Sequence, residues 1–155
     1  MHKTTRGLRN RNPGNIRHNA TRYLGDLSIT FDAAGTPTRY LGEIAGTDKS
    51  FKTFSAMPWG YRAMFVALYT YQRRYGLNTI TGLIRRWAPS NENDTEAYIA
   101  AVSRDSGIQP TTWINTQHRD TMIPIVAAMS RVENGVSADI SEVEAGWELF
   151  EKHKP

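Results

Sequence analysis

Cysteine is absent from all 155 residues, which excludes disulfides, thiolate metal sites and cysteine nucleophiles. Histidine is scarce: the four (His2, His18, His118 and His153) are scattered without ligand spacing, so no zinc site is expected. No apolar run approaches membrane-spanning length, and the opening Met1-His2-Lys3-Thr4-Thr5-Arg6 has no apolar h-region. The expectation is therefore a chain made in the cytoplasm that needs an unconventional exit for any work outside it. Runs of five like charges are missing too, so there is no basic tail. Nineteen basic and fifteen acidic residues leave a net charge of +4, which suits a polyanionic partner but does not choose among nucleic acid, anionic lipid and an acidic wall polymer. Repeats, linkers and low-complexity segments are lacking, and the length fits one domain over residues 1–155.

The densest feature present is Arg9-Asn10-Arg11-Asn12-Pro13-Gly14-Asn15-Ile16-Arg17. Pro13 fixes its own φ and pushes Asn12 towards an extended conformation, while Gly14 and Asn15 tolerate left-handed angles. The result is a tight turn studded with amide and guanidinium donors, either a structural turn or a loop that holds something.

Beyond it, residues 20–54 read as short strands. Tyr23, Leu24, Leu27, Ile29 and Phe31 precede a turn at Ala34-Gly35-Thr36-Pro37, and Tyr40, Leu41, Ile44, Phe51 and Phe54 follow. The remainder reads as helices. One covers 57–75, with Ser55 as a cap and Gly76 as a stop, and a second covers 79–87. Asn93-Asp94-Thr95-Glu96 opens a third, running to about 106 and ended by Gly107. A fourth spans 120–133, with Pro124 tolerable only in its first turn, and Ser141-x-x-Glu144 caps a short last helix. The fold class is α+β, mainly helical with a small antiparallel sheet.

Three carboxylates invite chemistry. Glu133 ends an apolar helix, and Gly135 fits the position beyond its cap. The helix dipole is negative at that end, so a carboxylate there is disfavoured and a protonated carboxyl is what a general acid needs. A solvated surface glutamate is the competing reading. Glu43 lies on the face of its strand opposite Ile44, either as an exposed carboxylate or as the second member of a catalytic pair. Glu92 precedes a helix, where acids are favoured for structural reasons. Trp59, Trp87, Trp113, Tyr23, Tyr40 and Tyr98 are either core or the lining of a sugar groove, since pyranose faces stack on aromatic rings.

Taken in order, Asn12-Pro13-Gly14-Asn15-Ile16-Arg17, Phe51-Lys52-Thr53-Phe54, Trp59-Gly60-Tyr61-Arg62-Ala63, Arg86-Trp87-Ala88-Pro89, Glu92-Asn93-Asp94-Thr95, Tyr98 and Glu133-Asn134-Gly135 resemble a family of small phage-encoded and phage-derived lysozyme-like proteins. The resemblance covers about residues 7–135. A weaker similarity links the chain to flagellar-type N-acetylglucosaminidases. There a helix ending in Glu-Ser-Gly precedes an Asn-Leu-Phe-Gly-Ile-Lys turn, a hairpin with a second glutamate, and a Phe-Arg-x-Tyr strand. In this chain the Glu-bearing helix follows rather than precedes those elements, as a circular permutation would place it.

The resemblance implies a lysozyme-like fold and a peptidoglycan glycosidase: a muramidase, an N-acetylglucosaminidase or a lytic transglycosylase. It implies Glu133 as general acid and Glu43, directly or through water, at the oxocarbenium-like centre. Tyr98 and Trp87 would position the substrate, and the turn with Asn12, Asn15 and Arg17 would hold Glu133 and the sugar N-acetyl groups by hydrogen bonds, with no metal or organic cofactor implied. A single working carboxylate would instead favour a lytic transglycosylase. The implied partners are peptidoglycan glycan strands, with a virion, a holin, a phage-like secretion apparatus or an immunity protein in attendance, and the site of action is the periplasm or wall. The rivals are a non-catalytic virion or wall-binding module and, less consistent with arginines spread over a turn, a nucleic-acid binder.

Overall fold

The computed structural model describes residues 5–18, 39–91 and 93–155. The expected strand residues from Tyr23 to Phe31, the turn at 34–37 and Glu92 lie outside them. Helix α1 (Arg6–Arg9) leads into the Asn/Pro/Gly turn, strands β1 (Glu43–Ile44) and β2 (Thr53–Phe54) follow, and the rest is helical. The helices are α2 (Met57–Tyr75), α3 (Ile80–Trp87), α4 (Thr95–Ser106), α5 (Arg119–Asn134) and α6 (Ile140–Lys152). The model is thus mostly helical with a small antiparallel sheet, as the α+β reading expects.

Helix α2 is the hub, with residues 60–68 all buried. Such a helix must be covered on every side, and α6 lies along it. Gly146 permits the close approach: a Cβ there would stand 2.6 Å from the Tyr61 Cβ. Beyond that contact, Phe65 meets Trp147 edge-on at 5.0 Å and Trp147 packs on Phe150 at 5.1 Å. Helices α4 and α5 pack together, α3 packs on α4, and α1 meets α5.

Helix boundaries follow local chemistry. Gly76, Gly107 and Gly135 take left-handed angles (φ 67°, 74° and 73°) as C-caps, as the sequence predicts. Thr79 and Asp94 cap α3 and α4 through their side chains. Three details differ. Ala56, not Ser55, is the N-cap of α2 and offers no side-chain bond, with Pro58 in the first turn. Asp139, not Ser141, caps α6 by accepting from Ser141 N at 2.9 Å, because the helix starts earlier and runs longer than the Ser141-x-x-Glu144 pattern implies. Pro124 is the sixth residue of α5, beyond its first turn. The acceptor it leaves without a helical donor belongs to Asp120, which is exposed and open to water.

In the sheet, Glu43 pairs with Phe54 and Ile44 with Thr53. The alternation is as expected but its sense is inverted: Glu43 is buried at 1% exposure and Ile44 faces out at 37%.

Candidate functional site

The Asn/Pro/Gly segment is a rigid turn held from inside. Asn12 is fully buried; its Nδ2 donates to Ile16 O and Lys52 O, both at 2.9 Å, and its Oδ1 accepts from Ile16 N. Left-handed angles fall at Arg11 and Asn15, both with φ 49°. Gly14 is not among them; it is small because a Cβ there would stand 2.8 Å from the Trp87 ring and 2.9 Å from Met64 Cγ. Asn12 is therefore a structural keystone whose amide is used up within the loop, rather than a group free to hold substrate.

The end of α5 is tied to this turn. Asn134 Nδ2 donates to Pro13 O at 2.8 Å, and Asn134 Oδ1 accepts from the Thr5 hydroxyl at 2.8 Å. Gly7 is needed beside it, since a Cβ there would collide with Asn134 Oδ1. These bonds place Glu133, one residue earlier, beside Asn15. Glu133 Oε1 accepts from Asn15 Nδ2 at 3.0 Å, while Oε2 accepts from the Tyr98 hydroxyl at 2.9 Å and from Trp87 Nε1 at 3.4 Å. The donors come from the N-terminal turn, the start of α4 and the end of α3. All three are neutral, and no cation pairs with Glu133 among the described residues. Burial, with the neighbouring Glu133, pushes the Tyr98 phenol well above its ordinary pKa, so it stays a protonated donor.

Glu133 lines a cleft of about 440 Å³ that also involves Asn15, Arg17, Tyr40, Tyr71 and Trp87. It is the one carboxylate in that lining among the described residues. Arg17 lies over the Phe51 ring at 4.7 Å. The structure thus brings Glu133, Asn15, Arg17, Trp87 and Tyr98 together at one place.

Glu43 does not join them. Its two oxygens each stand 3.1 Å from Lys52 Nζ, and Oε1 also accepts from Tyr40 N at 3.1 Å. Both charged side chains are fully buried. Burial lowers the Lys52 pKa, and Glu43 opposes that shift. A carboxylate locked to a buried ammonium is neither an exposed strand residue nor a free nucleophile; it is the counterion of Lys52. Of the other aromatic candidates, Tyr40 reaches the cleft. Trp59 stacks near His153 at 5.9 Å, and Trp113 stands 67% exposed beside a separate hollow. Asn134, Lys52 and Tyr71 were not singled out as site residues from the sequence. Asn134 and Lys52 carried a signal, their places in Glu-Asn-Gly and Phe-Lys-Thr-Phe; Tyr71 had none apart from the contacts the fold makes. No cluster of three His, Asp or Glu residues suited to a metal occurs among the described residues.

The fold and site define a mainly helical α+β protein in which one glutamate, held by neutral donors, faces an open cleft. No family model matches the chain. It is 34% identical over 152 residues to Protein P5 of Pseudoalteromonas phage PM2, an alignment spanning 96% of this chain and 83% of that protein. The chain belongs to the family of that phage protein.

Proposed function

We propose that the protein is a peptidoglycan glycosidase that works with one carboxylate, and hence a lytic transglycosylase. The observation that carries the reading is Glu133, the one carboxylate lining the cleft among the described residues, with both oxygens oriented by Asn15, Tyr98 and Trp87. In this scheme protonated Glu133 gives its proton to the glycosidic oxygen as the C–O bond breaks. The substrate's own hydroxyl then closes on the oxocarbenium-like carbon and returns a proton to Glu133. Neutral donors suit this cycle, because they hold the side chain in place without an ion pair that would bind its charge permanently. Glu43 has no part, being held by Lys52. A lysozyme-like core in permuted order accounts for the adjacency of the Asn/Pro/Gly turn and the Glu133 helix end. The phage relative is consistent with a virion or lysis setting.

The test is incubation of the whole chain with purified sacculi and mass spectrometry of what is released. Anhydro-ended fragments are expected, and Glu133→Gln should reduce them by about a hundredfold or more, the scale of lost acid catalysis. Reducing-end fragments would mean hydrolysis at the same site. No release from the wild type between about pH 4 and 9 would favour the non-catalytic virion or wall-binding module, since that span covers the protonation range of a working carboxyl.

A further inference from the structure

The Glu133 cleft does not end at its own rim. Tyr71 and Pro89, which line it, also line a second hollow of about 720 Å³ formed with Tyr75, Arg85 and Arg86. On the other side, Glu133 and Asn93 border a smaller recess of about 320 Å³. Shared lining residues thus join the Glu133 cleft to a hollow containing Arg86 through Tyr71 and Pro89, and to a recess through Asn93.

The cleft and the adjoining hollow each carry a guanidinium group of one kind, Arg17 in the first and Arg86 in the second. Arg86 lies over the Tyr75 ring at 3.6 Å and 5.4 Å from the Tyr71 ring, while Arg17 lies over Phe51 at 4.7 Å. Neither pairs with a carboxylate among the described residues, whereas neighbouring Arg85 is held by Glu96 at 3.1 Å and Arg6, which shares Phe51, by Asp48 at 3.4 Å. A guanidinium over an aromatic ring is positioned through its face, leaving its in-plane N–H donors for a planar anion. Tyr71 lines both hollows, and its ring stands 5.4 Å from the Arg86 guanidinium.

We propose that Arg17 and Arg86 are carboxylate-reading subsites, so that the cleft and the adjoining hollow take a glycan strand bearing acidic substituents rather than a neutral amino-sugar polymer. The inference rests on the glycan reading of the cleft. It adds that the charge of the side groups, not only the sugar rings, selects the strand. Two charge readers at separate points, one in the cleft and one in the hollow that shares Tyr71 and Pro89 with it, match a polymer with repeated carboxylates, and the net charge of +4 favours the same partner.

The test uses Glu133→Gln as a non-cutting background and two probes: soluble uncrosslinked peptidoglycan strands with their stem peptides, and neutral chitin hexasaccharide. Affinity is read by titration calorimetry at low and high salt. Adding Arg86→Gln is expected to weaken strand binding by about five- to tenfold and flatten its salt dependence, with chitin binding unchanged. Arg17→Gln should act in the same direction, and Arg86→Lys should recover only part of the loss, because a point charge replaces a planar fork. Arg86 is exposed, so its variants should melt with the parent. Equal weakening for both probes, or none for either, overturns the charge-reading proposal while leaving the glycan cleft intact. If Glu133→Gln binds neither probe, the glycan reading falls and this proposal with it.

Discussion

The Tyr98 hydroxyl donates to Glu133 Oε2 at 2.9 Å, joining the start of α4 to the last turn of α5 across 35 residues of sequence. Because burial and the adjacent Glu133 hold the phenol protonated, it can only donate to a charged Glu133. Tyr98→Phe keeps the buried ring and removes that donor. Fragment release from sacculi should drop by about tenfold, while stability falls by about 1 kcal/mol, as for one hydrogen bond. A variant with full activity per folded molecule would reduce Tyr98 to a packing residue.

Asn15 combines a left-handed backbone with a donor to Glu133. Two substitutions separate these roles. Asn15→Gly relieves the angle and removes the donor, whereas Asn15→Ala removes the donor and keeps the strain, which for a residue with a Cβ is about 1 kcal/mol. Both variants should lose activity to a similar extent, and the alanine form should melt several degrees lower. Equal melting temperatures would show that the turn relaxes at this position.

The Glu43–Lys52 pair should behave as structure. Removing one member strands the other charge in the core, so Glu43→Leu or Lys52→Met should each destabilise by about 3–5 kcal/mol, and the double variant should recover most of that. Denaturant melts measure the recovery. Retained fragment release by the folded double variant is expected; a stable but inactive double variant would return Glu43 to the mechanism.

Acid should loosen the segment between β1 and β2. Partial burial works against the charge on Asp48, but the amides of Ser50 and Phe51, the Asn10 side chain and Arg6 outweigh it and set its pKa below the ordinary aspartate value. With the folded value depressed, the stabilisation is present above the unfolded value and is lost as pH falls through the folded one. Stability should thus decline below about pH 4, the range of an ordinary aspartate, and Asp48→Asn should flatten part of that decline. Thermal melts from pH 2 to 7 measure it, and an unchanged slope in the variant would remove Asp48 from the acid response.

Much of the fold was legible in the chain. Helices α2 to α5 follow from apolar spacing near 3.6 and from stop signals at Gly76, Gly107 and Gly135, whose left-handed angles are a local property of glycine. Glu133 stood out for a local reason as well, a carboxylate at the wrong end of a helix dipole. The cap of α6 was misplaced because Asp139 and Ser141 are both good caps, and only the packing of the helix chooses between them.

Other matters are set by what covers a residue, which no local pattern records. Period-two alternation separated Glu43 from Ile44, yet the inward face went to the acid because Lys52 waits there, eight positions beyond Ile44 and fully buried. Asn12 and Asn15 share one turn and one side-chain chemistry. The carbonyls of Ile16 and Lys52 turned Asn12 inward, and the end of α5 drew Asn15 to Glu133. The sequence alone determined the helices, the glycine stops of three of them and a glutamate worth examining. Only the tertiary structure decided that Tyr98 and Trp87 join Asn15 as donors to this glutamate, and that the other carboxylate is held by a buried lysine, because hydrogen bonding and burial depend on neighbours brought together by the chain's path through space.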